Sequence, residues 1–223
     1  MKVLIACEFS QVVTEAFTKR GHYAMSCDLL PAEKNYPHYQ GNIVDLLNNT
    51  WDEWDLMIAH PPCTYLTVTG NKWFKPEFAS RFPDRQMQRK EAIDFFLFLA
   101  KFPIPHVAVE NPIGIMSTIY HKPDQIIQPY QFGHKERKST CLWLKDLPKL
   151  KPTSIVKPDI IHYKTRKGTD DAWHVNTMKL PPLERMKARS RTFAGIAEAM
   201  AEQWGEIAAK RCCQEVMELG DRR

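Results

Sequence analysis

Val3-Leu4-Ile5-Ala6-Cys7, followed by Val12 to Arg20, Gly21 and Tyr23-Ala24-Met25-Ser26-Cys27-Asp28, sets two apolar runs either side of a helical pattern. The first run is short and continuously apolar, the pattern of a parallel strand buried on both faces. Val12, Val13, Ala16 and Phe17 then recur at helical spacing, and Gly21 stands where such a helix stops. Tyr23 to Cys27 reads as a second strand ending at Asp28. The three pieces form a β-α-β unit.

Working outward, Asp55-Leu56-Met57-Ile58-Ala59-His60 is a further strand, stopped by Pro61-Pro62 because proline cannot donate to a sheet ladder. Met87 to Lys101 carries an apolar helical face (Ala92, Ile93, Phe95, Phe96, Leu99), and His106-Val107-Ala108-Val109 is a strand ending at Glu110-Asn111-Pro112. Cys141-Leu142-Trp143-Leu144 is a later strand. Pro148 to Pro182 is proline-rich, basic and weakly periodic, and is expected to be irregular. A last helix runs from about Ala194 to Cys213, with Ile196, Met200, Trp204 and Ile207 along one side. Strands alternating with helices predict an α/β fold with a mostly parallel sheet and helices on both faces.

Composition narrows the function classes. With 223 residues, 43% hydrophobic and 26% charged, the chain suits one α/β domain with a small appendage and not a disordered segment. The net charge of +5 is concentrated between about Lys135 and Arg191, which permits a polyanionic partner without demanding one. No apolar run approaches the roughly 18 to 20 residues that span a bilayer, and the first apolar run is too short for a signal peptide, so a cytoplasmic protein with no membrane partner is expected. The six cysteines (Cys7, Cys27, Cys63, Cys141, Cys212, Cys213) contain no CxxC pair, so neither a metal site nor a disulfide framework is indicated. Oligomeric state is not readable from the sequence.

In an open α/β sheet, ligands bind beyond the carboxyl ends of the strands. Three strands end on reactive residues: Asp28, Pro61-Pro62-Cys63 and Glu110-Asn111-Pro112. Asp28 stands where a carboxylate accepts hydrogen bonds from the ribose hydroxyls of a nucleoside cofactor, or is a surface carboxylate at a strand-to-loop junction. Two prolines fix the backbone before Cys63, which presents its thiol to the strand-end pocket, and a nearby cation is expected to lower its pKa. Glu110 would lie in the same pocket although 47 positions separate it from Cys63. There it can hydrogen-bond the N3 and N4 edge of a cytosine and raise the electrophilicity of C6.

Pro62-Cys63 and Glu110-Asn111 together resemble the DNA cytosine-5 methyltransferase family, in which a Pro-Cys dipeptide carries the nucleophile and a Glu-Asn-Val tripeptide carries the base-reading glutamate. Ala59-His60-Pro61-Pro62-Cys63-Thr64-Tyr65-Leu66-Thr67, Gln131-Phe132-Gly133-His134 and Gly195-Ile196-Ala197-Glu198-Ala199-Met200-Ala201 resemble a compact branch of that family found in phages and mobile elements. The resemblance implies a Rossmann-like S-adenosylmethionine-dependent methyltransferase fold, with residues 1–145 and 190–213 as the catalytic domain. Residues 146–189 would be a short basic insert in place of a target recognition domain.

By the same resemblance, Cys63 would add to C6 of the base, C5 would take the methyl group, and Glu110 would polarise the cytosine edge. Arg137 or Lys138 would be the basic residue that steadies base and phosphate. Glu8, Phe9 and Ser10 in the first turn would lie against the methionine end of the cofactor, with Asp28 on its ribose and Asn42-Ile43 near its adenine. Pro61 and Gly195 would border the same site. DNA would be the partner, gripped by Lys138, Lys164, Arg166 and Lys167 and by the aromatic residues interleaved in the insert. Thr67 to Arg85 would close over a flipped base.

The chain departs from the family in two places. Its first motif, Cys7-Glu8-Phe9-Ser10-Gln11, lacks the glycines of the family's Phe-x-Gly-x-Gly turn, and its recognition region is short. The short recognition region leaves methylation of a cytosine nucleotide or single-stranded nucleic acid as an alternative, and the glycine-poor first motif leaves non-catalytic nucleic-acid binding on the same fold. A third alternative, amino-group methylation, comes from His60-Pro61-Pro62-Cys63, which partly resembles the Asp-Pro-Pro-Tyr signature of N-methyltransferases.

Overall fold

The computed structural model describes residues 1–162 and 169–220. A seven-stranded sheet in the order β3-β2-β1-β4-β5-β7-β6 organises it. Its strands are β1 (Lys2–Ala6), β2 (Tyr23–Asp28), β3 (His38–Gln40), β4 (Leu56–Ala59), β5 (His106–Pro112), β6 (Gln125–Ile127) and β7 (Thr140–Lys145). The first five are mutually parallel, and β7 runs antiparallel to both its neighbours. This is an α/β fold with a mostly parallel sheet and helices on both faces, as the sequence led us to expect.

Burial on both faces explains the unbroken apolar runs. Successive strand residues point to opposite sides, so Val3 and Ile5 of β1, with Leu56 and Ile58 of β4, enter a core shared with Val13, Phe17, Met200 and Trp204. Leu4 and Ala6, with Met57 and Ala59, enter a second core with Ile43, Leu47, Phe96 and Leu99. The helices α1 (Val12–Lys19) and α7 (Ala194–Gly220) therefore cover one face. The other is covered by α2 (Ile43–Thr50) and α3 (Arg85–Ala100).

Several elements differ from expectation. The strands β3 and β6 have three residues each, too few to show a period of two, and both lie at sheet edges. The helix α2 follows Asn42, whose side-chain oxygen accepts from Val44 N–H at 3.0 Å. The helix α3 starts two residues earlier than predicted, and α7 runs past Cys213 to Gly220. The stretch expected to be irregular contains a two-stranded ribbon, β8 (Ile160–His162) and β9 (Thr169–Asp171), and helix α5 (Ala172–Met178). The Asp171 side chain caps α5 by accepting from His174 N–H. A short helix α4 (Met116–Ile119) follows β5, and α6 (Pro182–Ser190) precedes α7. Among the described residues, no helix is long and apolar enough to cross a membrane.

The glycine-free first turn is made by other means. Cys7 and Gln11 both adopt left-handed backbone, with φ of 61° and 54°, a conformation that costs a non-glycine residue of order 1–2 kcal/mol. Compensation comes from the side chains between and around them. The buried Glu8 carboxylate accepts from Val13 N–H (2.7 Å), Thr14 N–H (3.2 Å) and the Thr14 hydroxyl (2.7 Å), satisfying orphan donors where the α1 dipole favours negative charge. The fully buried Gln11 amide donates to Ser26 Oγ at 2.9 Å and to the Tyr36 carbonyl at 3.0 Å.

Candidate active site

Sheet register brings the reactive strand ends together. The last paired residues are Ala6 with Cys27, Ala6 with Ala59, and Ala59 with Val109. One residue beyond each pair, Cys7, Asp28, His60 and Glu110 line one edge. His60 Nδ1 and Glu110 Oε2 are 3.1 Å apart, and both side chains are largely buried.

Two further links fix Cys63 against Glu110. The Asn111 amide donates to the Pro61 carbonyl at 2.9 Å, a buried bond across fifty positions of sequence. Beyond the cysteine, Leu66 and Thr67 N–H groups both bond the Cys63 carbonyl (2.9 and 3.1 Å), and Ile115 N–H bonds the Leu66 carbonyl. A Cβ on Gly114 would stand 2.1 Å from that same Leu66 oxygen, so only glycine permits the approach of the two loops. The Pro-Pro-Cys turn and the Glu-Asn-Pro strand end are thus one construction.

Lys138 is the cation of this site. It lines a narrow hollow with Glu110, Thr140, Thr192 and Phe193, and its Nζ donates to the Arg189 carbonyl at 2.9 Å. Arg137, its neighbour, faces elsewhere: its backbone N–H donates to Asp171 at 2.7 Å and its guanidinium Nε lies 3.8 Å from the same carboxylate. The two residues that the resemblance treats as equivalent have separate surroundings.

The electrostatics of the pair follow. Burial pushes the Glu110 carboxyl up, but the His60 hydrogen bond, the Lys138 charge and the Thr140 hydroxyl outweigh it, holding Glu110 below its ordinary pKa and ionised at neutral pH. Burial and the Glu110 charge push the Cys63 thiol up, and Lys138 opposes them only in part. The expected cation is present, but it does not win, and the resting thiol is protonated. We therefore expect alkylation of Cys63 by iodoacetamide to be slower than that of a free cysteine at neutral pH and to climb as pH rises past 9. At fixed pH, Glu110→Gln should accelerate it and Lys138→Met should slow it, read by peptide-resolved mass spectrometry. Slower alkylation in Glu110→Gln would contradict this charge balance.

Beside the pair, a cleft of about 350 Å³ is lined by Cys7, Cys27, Asp28, Leu29, Gly41, Asn42, Ile43, Val44, Pro62 and Phe95. Its size is that of a small-molecule pocket. Asp28 uses Oδ1 to accept from Leu30 N–H at 2.9 Å, and among the described residues its Oδ2 has no partner. An apolar wall of Ile43, Leu29 and Phe95 facing one carboxylate fits a nucleoside: a flat base against the wall and a diol on the acid.

The remaining candidates have other surroundings. Glu8, Phe9 and Ser10 are buried, and the Glu8 carboxylate is committed to α1. Gly195 packs on the Gln131–His134 loop, its N–H donating to His134 Nε2 at 2.9 Å. Pro61 is buried beneath the Asn111 bond. Lys164, Arg166 and Lys167 lie outside the described residues. Trp173 packs on the Phe193 ring at 5.6 Å. Among the described residues, no group of three His, Cys, Asp or Glu side chains is placed to hold a metal ion.

Sequence reading missed His60, Asn111 as the tether, and Gly114. The only signal for His60 was its position one residue before Pro-Pro-Cys.

No protein-family model matches the chain, and no curated protein matches it. Among solved structures, it is similar to a chain described provisionally as a DNA modification methyltransferase encoded within an E. coli prophage. The two superpose with a TM-score of 0.45 at 15% identity, over 75% of this chain and 62% of that one.

Proposed function

We propose that the chain transfers a methyl group from S-adenosylmethionine to C5 of cytosine in DNA through a covalent bond between Cys63 and C6. The observation that carries this reading is the convergence of a strand-end thiol and a buried, ionised carboxylate, tied by the Asn111 to Pro61 hydrogen bond. A thiol and an acid so placed suit addition to a pyrimidine ring, where attack at C6 must be matched by protonation at N3.

Asp28, Asn42 and Ile43 would hold the nucleoside part of S-adenosylmethionine, which when bound supplies the electrophilic methyl group. Glu110, charged at rest, accepts the cytosine N4–H. As Sγ bonds to C6, the thiol proton is lost and N3 gains one, and Glu110 is the group able to carry it between them. His60 holds the Glu110 carboxylate through Nδ1 and so positions it. Lys138 supplies the positive charge that steadies the thiolate while it exists. Loss of the C5 proton to a base and expulsion of Sγ then restore the aromatic ring.

The test is trapping on DNA carrying 5-fluorocytosine, where fluorine replaces the proton that must leave. In the presence of S-adenosylmethionine, a protein-DNA adduct that survives denaturation is expected with wild type. Running duplex and single-stranded oligonucleotides side by side identifies the preferred form. Amino-group methylation of normal DNA without any adduct on the fluorinated DNA would overturn the C5 reading.

A further inference from the structure

The segment after the nucleophile turn carries Lys72, Lys75 and Arg81, and the start of α3 carries Arg85, Arg89 and Lys90. Among the described residues, none of these six cations lies within 4 Å of a carboxylate oxygen. Four are instead laid on aromatic rings: Lys72 on Trp73 at 4.5 Å, Arg81 on Phe82 at 5.3 Å, and Arg85 and Arg89 on a ring they share. The Arg85 guanidinium is 4.9 Å from the Phe74 ring centroid, 5.3 Å from Tyr65 and 5.4 Å from Phe82. Arg89 stacks on the same Phe74 ring at 3.1 Å and is held by donation to the Tyr65 carbonyl (3.1 Å) and to Asn71 Oδ1 (2.6 Å).

The arrangement is unfavourable without an anion. Arg85 and Arg89 stand one turn apart on α3, where like charges repel, and burial together with the Arg85 charge pushes the Arg89 guanidinium below its ordinary pKa. Among the described residues, the Arg85 side chain makes no hydrogen bond, and its buried Nε is unpaired. A ring face attracts the cation but leaves the in-plane N–H donors open, and that planar fork matches a phosphate.

We propose that Arg85 and Arg89 form a clamp for a backbone phosphate of the polynucleotide strand that carries the target base. Tyr65, which both arginines contact, is two residues beyond Cys63, so a phosphate held there borders the nucleotide presented to the thiol. The clamp rests on the reading above for the identity of the strand. It places the backbone grip on the segment after the nucleophile, whereas sequence reading put it on Lys138 and the basic insert.

The experiment measures binding of a fluorescein-labelled DNA oligonucleotide, duplex and single-stranded, across a salt series, with methyl transfer assayed on the same preparations. Removing one phosphate interaction reduces the slope of log K against log salt by about 0.9 on duplex and about 0.7 on a single strand. Arg85→Gln should remove one such interaction and Arg85→Gln/Arg89→Gln two, the double variant binding at least about tenfold more weakly near physiological salt. Arg85→Gln removes a side chain without a hydrogen bond, so it keeps the test open if the double variant does not fold. Unchanged slopes in the folded variants, or a wild type with no DNA affinity at low salt, would overturn the clamp. If the variants show the expected slopes but wild type methylates no cytosine, the clamp stands and the C5 reading fails.

Discussion

Replacing Cys63 with serine is expected to lower methyl transfer to DNA by at least about a hundredfold, roughly 2.7 kcal/mol of transition-state stabilisation. In the proposed mechanism the covalent bond to C6 makes C5 nucleophilic, and a serine hydroxyl at neutral pH is a far weaker nucleophile than a thiolate. The loss should stop short of complete inactivity because the variant keeps Glu110, Lys138 and the neighbouring cleft. The fold should be untouched: what ties this turn together is the Cys63 carbonyl, bonded by Leu66 and Thr67 N–H groups, and not the sulfur. Tritiated methyl transfer by wild type and variant, with melting temperatures alongside, checks both halves. A variant within about threefold of wild type would remove covalent activation from the mechanism, since that step alone is worth about a hundredfold.

Gly195→Ala is expected to destabilise the fold more than any other alanine placed at a glycine inside a described helix. Helix propensity argues the other way, because alanine is favoured over glycine inside a helix by about 1 kcal/mol. Sterics decide it: a Cβ there would stand 1.9 Å from the Phe132 carbonyl oxygen and 3.1 Å from His134 Nε2. The obstruction is backbone, fixed by Gly133 N–H to the Ser154 carbonyl and Phe132 N–H to the Pro129 carbonyl, and overpacking against such a wall costs about 3 kcal/mol or more. The net loss of at least about 2 kcal/mol corresponds to a fall of about 4–8 °C in melting temperature for a domain of this size. Gly205→Ala is the internal comparison. Its Cβ would approach only the His22 ring, at 2.5 Å, the end of a side chain able to turn aside, so its cost should be clearly smaller. Equal melting temperatures for the two variants would refute the argument.

The consequence of Gly195→Ala extends to the site. Close approach of α7 to the Gln131–His134 loop brings Thr192 and Phe193 beside Glu110 and Lys138. The resemblance gave Gly195 to the cofactor. The contacts observed give it a packing role that sets where the start of α7 lies.

Much of the fold was legible because it is written in short-range patterns. Continuous apolar runs at Val3–Cys7 and Leu56–Ala59 reported burial on both faces, since neither face could tolerate a polar side chain. Pro61-Pro62 and Glu110-Asn111-Pro112 marked strand ends by breaking those runs. The edge strands β3 and β6 were invisible for the converse reason, being too short for periodicity and half exposed.

The site divides along the same line. The residue types at the strand ends, Asp28, Cys63 and Glu110, could be named from sequence because a parallel sheet sends the ends of its strands to one edge. Which groups then touch was decided by register and packing. His60 meets Glu110 because Ala59 pairs with Val109. Asn111 reaches Pro61 across fifty positions, and Lys138 is the cation beside Glu110 while Arg137 goes to Asp171. The Arg85 and Arg89 pair is one turn apart in sequence, but the absence of any acid partner among the described residues is a property of the folded chain. Local periodicity made the central strands and the candidate residues at their ends readable from the sequence. Their partners and their charge came from the folded chain, because contacts between distant segments follow from how the layers pack.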